Sequence, residues 1–226
     1  FFFTHTTATA ILSGLVGSEM CIRDSDGTMY GWGYGAYGNW GLNITGTTYY
    51  SSPVQIPGTT WSTISISNYF TNAIKTDGTL WGWGYPGYGN VGPSYVPNTP
   101  GVSAPIQIPG TWATGDNKLA TSAYVTLAIK ANGELWSWGY GNYGVTGQNN
   151  ETKYSSPVQI PGTTWSQVTA GNYNAMALKT DGTLWWWGYG DMGANGMGSS
   201  LTHRSSPTQI GTGTDWTKIS SNPVSY

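Results

Sequence analysis

Charge is the scarcest property of this chain. Only 8% of its 226 residues are Asp, Glu, Lys or Arg, eight basic against ten acidic, for a formal net charge of -2. Eight scattered basic residues do not make the clustered patch that neutralising phosphates requires, which argues against nucleic acid as a partner. Histidine is nearly missing as well. His5 and His203 are the two, and no carboxylate pair, Gly-x-Ser-x-Gly elbow or metal-ligand spacing accompanies them, so neither an enzyme nor a cofactor is expected. A single cysteine, Cys21, excludes an internal disulfide and a cysteine-based metal site. No run of eighteen apolar residues occurs, so membrane insertion by a helix is not expected. Helical periodicity is absent too.

What is present repeats. One stretch occurs four times: "DGTMYGWGYG" from Asp26, "DGTLWGWGYP" from Asp77, "NGELWSWGYG" from Asn132 and "DGTLWWWGYG" from Asp181. The Asp-Gly or Asn-Gly pair between two apolar segments predicts a β-hairpin, with a type I′ turn as the expected form. The turn glycines Gly27, Gly78, Gly133 and Gly182 are 51, 55 and 49 residues apart, a period in the range of propeller blades. Two further markers keep step. They are "SSPVQIPG" at Ser51 with its copies at Ser103, Ser155 and Ser205, and the tryptophans Trp61, Trp112, Trp165 and Trp216.

Read in order, one unit is a "VQI" strand, a tryptophan strand such as "TWSTISI", the hairpin and a Gly-Tyr-rich loop. Four short strands per unit predict an all-β propeller blade. Proline would interrupt a central strand, so "PVQIP" is expected at an outer edge or turn. Along the hairpin's second strand Trp81 and Trp83 point to one face while Gly82 and Gly84 occupy the other. Tyr30 and Trp32, Trp136 and Trp138, and Trp185 and Trp187 repeat this. The expectation is stacked sheets, the rings of one lying on the bare face of the next. Burying each aromatic contributes roughly 2–3 kcal/mol, so tryptophan packing should dominate stability. Eleven of thirteen tryptophans hold repeated positions; Trp40 and Trp186 do not. Trp186 replaces Gly31, Gly82 and Ser137 on the bare face, where its neighbour is expected to be missing, exposed or rearranged.

The pattern resembles that of the regulator of chromosome condensation family, RCC1-like repeats that build a seven-bladed β-propeller. The fullest match is "AGNYNAMALKTDGTLWWWGYGDMG" from Ala170 to Gly193. The resemblance covers residues 26–221 and implies an incomplete propeller of about four blades, an open arc rather than a closed ring. That family also includes a β-lactamase inhibitor and a plant ultraviolet-B photoreceptor, so fold alone selects no function. The sequence departs from the family where Phe70, Val125 and Asn174 replace a histidine, and in "GYGAYG" from Gly33 where Gly-x-Asn is usual. The photoreceptor's Gly-Trp-Arg-His-Thr motif is missing.

Residues 1–25 stand outside the register, and "LVGSEMCIRDS" within them resembles translated sequencing-adapter read-through from metagenomic assemblies. Segment 1–25 and the tail 222–226 are therefore expected to lie outside the domain, and the chain to be a fragment.

Several motifs are better explained by structure than by chemistry. "GYGAYG", "GYGNYG" from Gly139 and "GYGDMG" from Gly188 match Gly-x-Gly-x-x-Gly, but lack the strand-to-helix context of a dinucleotide site. Asp26, Asp77 and Asp181 supply one carboxylate per hairpin, too few for calcium. Asn43 in "NIT" and Asn150 in "NET" read as polar loops. The structural repeat positions are Gly78, Trp81 and Trp83; Gly133, Trp136 and Trp138; and Gly182, Trp185 and Trp187. Tyr37, Tyr88 and Tyr143 are the candidate ligand-binding residues, at equivalent places in the loop after the Trp strand, with Met192 in the fourth copy. They either form a recognition rim or cover the next blade.

The expected function is a non-enzymatic binding module that recognises a protein or glycan through its loop rims. The Asn-, Thr-, Gly- and Tyr-rich surface suggests an extracellular, cell-surface or virion setting, such as a tail fibre. The alternatives are an inhibitor or docking scaffold, and an exchange factor for a small GTPase, which would concentrate charge on one face.

Overall fold

The computed structural model describes residues 12–16, 19–35, 37–44, 48–92, 101–198 and 203–220. Its regular structure is β, apart from two three-residue helical turns, Asn142–Gly144 and Asp191–Gly193. Four sheets follow one another. The first holds β1 (Leu12–Val16), β2 (Glu19–Arg23), β3 (Met29–Gly35) and β4 (Thr48–Ile56). The second holds β5 (Trp61–Ile66), β6 (Phe70–Lys75), β7 (Leu80–Gly84) and β8 (Val102–Ile108). The third is β9 (Leu119–Thr121), β10 (Val125–Ile129), β11 (Leu135–Gly139) and β12 (Tyr154–Ile160). The fourth is β13 (Trp165–Ala170), β14 (Asn174–Lys179), β15 (Leu184–Gly188) and β16 (Arg204–Gln209). Each sheet is an antiparallel meander in chain order, and β1, β5, β9 and β13 neighbour one another along the inner side. This is a propeller arc, open rather than closed over the described residues.

The repeat unit is shifted in phase from its sequence reading. The "VQI" segment pairs with the hairpin before it, not the one after: β4 pairs with β3 through Met29↔Ile56, and β8 with β7 through Leu80↔Ile108. It is the outermost strand, as its prolines require. Those prolines sit in a bulge. Between Gly82↔Ile106 and Gly84↔Val102 only Trp83 faces Ser103, Ala104 and Pro105, and the other three sheets shift register at the same place. Proline is tolerated there because its missing N–H has no partner to lose. At the other end, β1 and β2 lie before the boundary expected at residue 26 and complete the first sheet, with Cys21 opposite Gly31. Residues 1–11 and the tail 222–226 lie outside the described residues.

The hairpin turn also differs from expectation. A type I′ turn needs positive φ at both central residues, whereas Gly78 has φ +80° and Asp77 is not among the left-handed residues. Gly78 N–H donates to Lys75 O and Lys75 N–H to Thr79 O, both at 2.9 Å. That is a three-residue loop, a type I turn followed by a left-handed glycine. The aspartate serves as an acceptor: Asp77 Oδ1 takes Thr79 N–H at 2.9 Å and Thr79 Oγ1 at 2.7 Å, and Asp181 does the same for Thr183. Glycine is required twice over. At Gly133, φ is +82° and a Cβ would stand 2.3 Å from Thr163 O. The turn also ties sheets together, since Gly27, Gly78, Gly133 and Gly182 carbonyls accept the N–H of Trp61, Trp112, Trp165 and Trp216.

The core lies between sheets. Ile74, Leu80 and Ile108 of the second sheet pack with Trp112, Ala128 and Trp138, and equivalent clusters fill the junctions on either side. The indoles divide the labour. Trp83, Trp138 and Trp187 are fully buried, and each donates its Nε1–H to a loop carbonyl of the preceding sheet: Asn39 O at 2.7 Å, Asn90 O at 2.7 Å and Val145 O at 2.8 Å. Trp81, Trp136 and Trp185 are half-buried and face a lysine, Lys75 at 4.5 Å, Lys130 at 3.7 Å and Lys179 at 4.1 Å from the ring centres.

Between sheets, rings lean on loop glycines and not on the strand glycines of the next sheet. Trp83 lies against the loop residue Gly41, and Trp187 against Gly147. The strand glycine Gly82 is covered by Val91 of its own sheet's loop, and Gly31 by the Trp40 ring. This accounts for the irregular Trp40. Gly31 and Trp40, Gly82 and Val91, and Ser137 and Thr146 are each nine residues apart and in contact. Trp186 is buried, 1% exposed, and not left open to solvent.

Candidate functional site

The loops after β3, β7 and β11 reach over the following sheet. They can do so because a glycine in each presses on a bulge serine of the next sheet: a Cβ on Gly38 would meet Ser103 at 2.5 Å, and one on Gly144 would meet Ser205 at 2.3 Å. The residue just before that glycine is the candidate tyrosine, so Tyr37, Tyr88 and Tyr143 are carried onto the neighbouring sheet. Each inserts among two tyrosines there. Tyr37 touches Tyr69 and Tyr85, with ring centres at 6.2 and 4.9 Å. Tyr88 meets Tyr124 and Tyr140 at 5.0 and 5.8 Å. Tyr143 meets Tyr173 and Tyr189 at 5.2 and 4.7 Å.

The three sets join. Tyr85 contacts Tyr88, and Tyr124 stacks on Tyr173 at 4.8 Å. His203 closes the row by stacking on Tyr189 at 4.8 Å. Nine tyrosines and one histidine thus form a continuous ladder across three junctions. Tyr37 is 42% and Tyr143 36% exposed, and Tyr88 is half-buried. Packing on the next blade and presentation to solvent therefore coexist. Tyr37 (φ +61°) and Tyr143 (φ +56°) hold left-handed backbone, a conformation costing a non-glycine residue about 1–2 kcal/mol.

Sequence reading found one tyrosine per junction and missed two. Tyr69, Tyr124 and Tyr173 sit one residue before β6, β10 and β14, and Tyr85, Tyr140 and Tyr189 one residue after β7, β11 and β15. Both sets repeat at the blade period, a signal masked by the more conspicuous tryptophans.

Crowded hydroxyls alter the rim's acidity. Burial first, then the fields of Tyr124, Tyr69, Tyr85 and Tyr140, push the Tyr88 hydroxyl above its ordinary pKa. A hydrogen bond with Tyr173 does so for Tyr124, and one to Asp191, at 2.5 Å, for Tyr189. Among the described residues no group of three or more His, Cys, Asp or Glu side chains converges.

Comparison with known proteins agrees with this architecture. The regulator of chromosome condensation (RCC1) repeat model matches residues 132–178. The ultraviolet-B receptor UVR8 of Arabidopsis thaliana is 26% identical over 136 residues, 60% of this chain and 30% of the receptor. Human WBSCR16 superposes with a TM-score of 0.78 at 21% identity over 92% of this chain and 55% of its own. Prp20p of Saccharomyces cerevisiae gives 0.75 at 20% identity, over 92% and 52%. The chain thus spans about a third of the receptor and half of each solved chain. With four meander sheets, a matched repeat and these solved neighbours, the chain is an RCC1-like repeat β-propeller.

Proposed function

We propose that this chain is a non-enzymatic protein-binding module whose docking surface is the tyrosine rim. The ring ladder from Tyr37 to His203 carries the reading. Rigid aromatics with hydroxyl tips, set among Gly, Asn and Ser on loops braced by sheets, supply contact area at little entropic cost. Weak overall charge, 8%, favours a partner held by rings and hydrogen bonds over one held by ion pairs. Neighbouring folds support protein recognition: Prp20p is described by its binding to Gsp1p and histones, and yeast RCC1 has been seen bound to Kap60. An inhibitor, a docking scaffold or an adhesin on a cell or virion surface would use the same rim and differ only in the partner. Exchange on a small GTPase is the weaker reading, because only 8% of the residues are charged.

One observation favours a glycan instead. Tyr37 and Tyr143 stand 42% and 36% exposed, and sugars stack on such rings. The test is a protein-display library and a glycan array screened in parallel, with the Tyr37→Ala/Tyr88→Ala/Tyr143→Ala triple variant as counter-screen. Protein ligands that lose binding to a variant of unchanged far-ultraviolet circular dichroism are expected. Ligands bound equally by both forms would remove the rim from the function, and hits confined to the glycan array would select the second reading.

A further inference from the structure

Three of the eight basic residues, Lys75, Lys130 and Lys179, occupy one repeated place, each with its ammonium near two indoles of its own sheet. Lys179 Nζ lies 4.7 Å from the ring centre of Trp165 and 4.1 Å from that of Trp185. Beside two of these lysines the junction between sheets opens into a cavity. The cavity between the third and fourth sheets, about 300 Å³, is walled by Trp165, Trp185 and Lys179 with Pro161, Pro207 and Asn149. Its counterpart between the second and third, about 290 Å³, has Trp112, Trp136 and Lys130 with Pro109 and Pro157. The two differ in what meets the lysine. In the third sheet Glu134 Oε2 lies 3.9 Å from Lys130 Nζ and accepts the Trp136 indole N–H at 3.1 Å. In the fourth, Thr183 takes the place of Glu134: its Oγ1 accepts the Trp185 N–H at 2.8 Å and donates to Asp181 Oδ1 at 2.7 Å. Asp181 is thereby held to the hairpin turn. Among the described residues the ammonium of Lys179 has neither an ion pair nor a hydrogen-bond acceptor.

We propose that the cavity between the third and fourth sheets binds one uronic acid unit, a pyranose ring bearing a carboxylate. Glu134 displays the chemistry within the same molecule, where a carboxylate settles on the equivalent lysine and indole. With threonine in that place, the carboxylate comes from the ligand and lies on Lys179. An ammonium offers three N–H donors, and the indole faces that attract its charge supply no lone pair to accept them. The pyranose ring lies along Trp185 and Pro207, while Asn149 takes its hydroxyls, the pairing of apolar walls with a few polar groups that small-molecule sites share. About 300 Å³ is the lower end of such sites. It suits a single ring better than an extended peptide, whose residues each advance about 3.3 Å. The site is separate from the tyrosine rim, since Trp185 is the second residue of β15 (Leu184–Gly188) and Tyr189 follows its last.

Ligand-observed NMR titration of the full chain tests this with three probes: methyl glucuronide, methyl glucoside as its uncharged counterpart, and N-acetylglutamate amide as a peptide carboxylate. The glucuronide is expected to bind. The other two should bind at least about tenfold more weakly, the glucoside for want of a charged hydrogen bond and the amide for want of the ring. Lys179→Gln should weaken glucuronide binding by a similar factor, whereas Lys130→Gln should leave it unchanged, because that lysine already holds Glu134. Thr183→Glu keeps Lys179 and gives the fourth sheet the carboxylate that the third carries, so it is expected to exclude the glucuronide while far-ultraviolet circular dichroism stays that of wild type. The Tyr37→Ala/Tyr88→Ala/Tyr143→Ala variant should bind the glucuronide as wild type does, which separates this site from the rim. No binding by wild type, equal binding of either comparison probe, full binding by Lys179→Gln or by a folded Thr183→Glu, or a loss in Lys130→Gln or the tyrosine variant would each overturn the proposal.

Discussion

Trp138→Phe isolates the bond on which neighbouring sheets depend. The Trp138 indole is fully buried, and its N–H donates to Asn90 O of the preceding sheet at 2.7 Å. Phenylalanine keeps an aromatic ring in place but removes the donor. Losing a buried hydrogen bond costs about 1–2 kcal/mol. The smaller ring forfeits about 1 kcal/mol of burial, and the void adds to this, for an expected total of about 2–4 kcal/mol. The control lies two residues away on the same strand. Trp136 is half-buried, and its N–H goes to Glu134 Oε2 of its own hairpin at 3.1 Å, so Trp136→Phe should cost under about 1 kcal/mol. Urea unfolding followed by far-ultraviolet circular dichroism compares the two without relying on indole fluorescence. Equal losses, or a larger loss for Trp136→Phe, would refute the view that the inter-sheet bond and not ring burial in general joins these blades.

Two further outcomes are expected. Because Tyr88 and Tyr124 have pKa values raised in the folded state, their contribution to stability is fully present below the unfolded tyrosine pKa of about 10 and is lost as pH rises through the higher folded values. A tyrosinate absorbance titration should show a late-ionising subset that disappears in urea; a single step identical in both states would contradict the crowded rim. Gly133→Ala meets both a left-handed φ and Thr163 O at 2.3 Å, whereas at Gly211 φ is +61° with nothing within 4 Å. Gly211→Ala should therefore cost about 1–2 kcal/mol and Gly133→Ala clearly more, and thermal melts that rank them the other way would discount the close approach at the turn.

The repeat, the hairpins, the edge position of the proline segment and the all-β propeller class followed from the sequence alone. Each depends on chemistry local to a few residues: positive φ at Gly78, the lost N–H at Pro105, the alternation of Trp81 and Gly82. These act over short stretches and repeat visibly. Which strand belongs to which sheet did not follow, because only four residues separate Ile56 from Trp61 whereas twelve separate Gly35 from Thr48, so proximity along the chain points to the wrong neighbour and only hydrogen bonding between distant segments assigns the strand. The packing of Trp40 on Gly31, and the burial of Trp186 where other sheets carry Gly or Ser, were equally hidden. Volume compensation is a property of a filled space and leaves no mark in any one residue. The same holds for the rim. Tyr37, Tyr88 and Tyr143 could be aligned from sequence, but that each slots among two tyrosines of the next sheet was decided by the curvature of the arc, which brings loops from different blades within ring-contact distance.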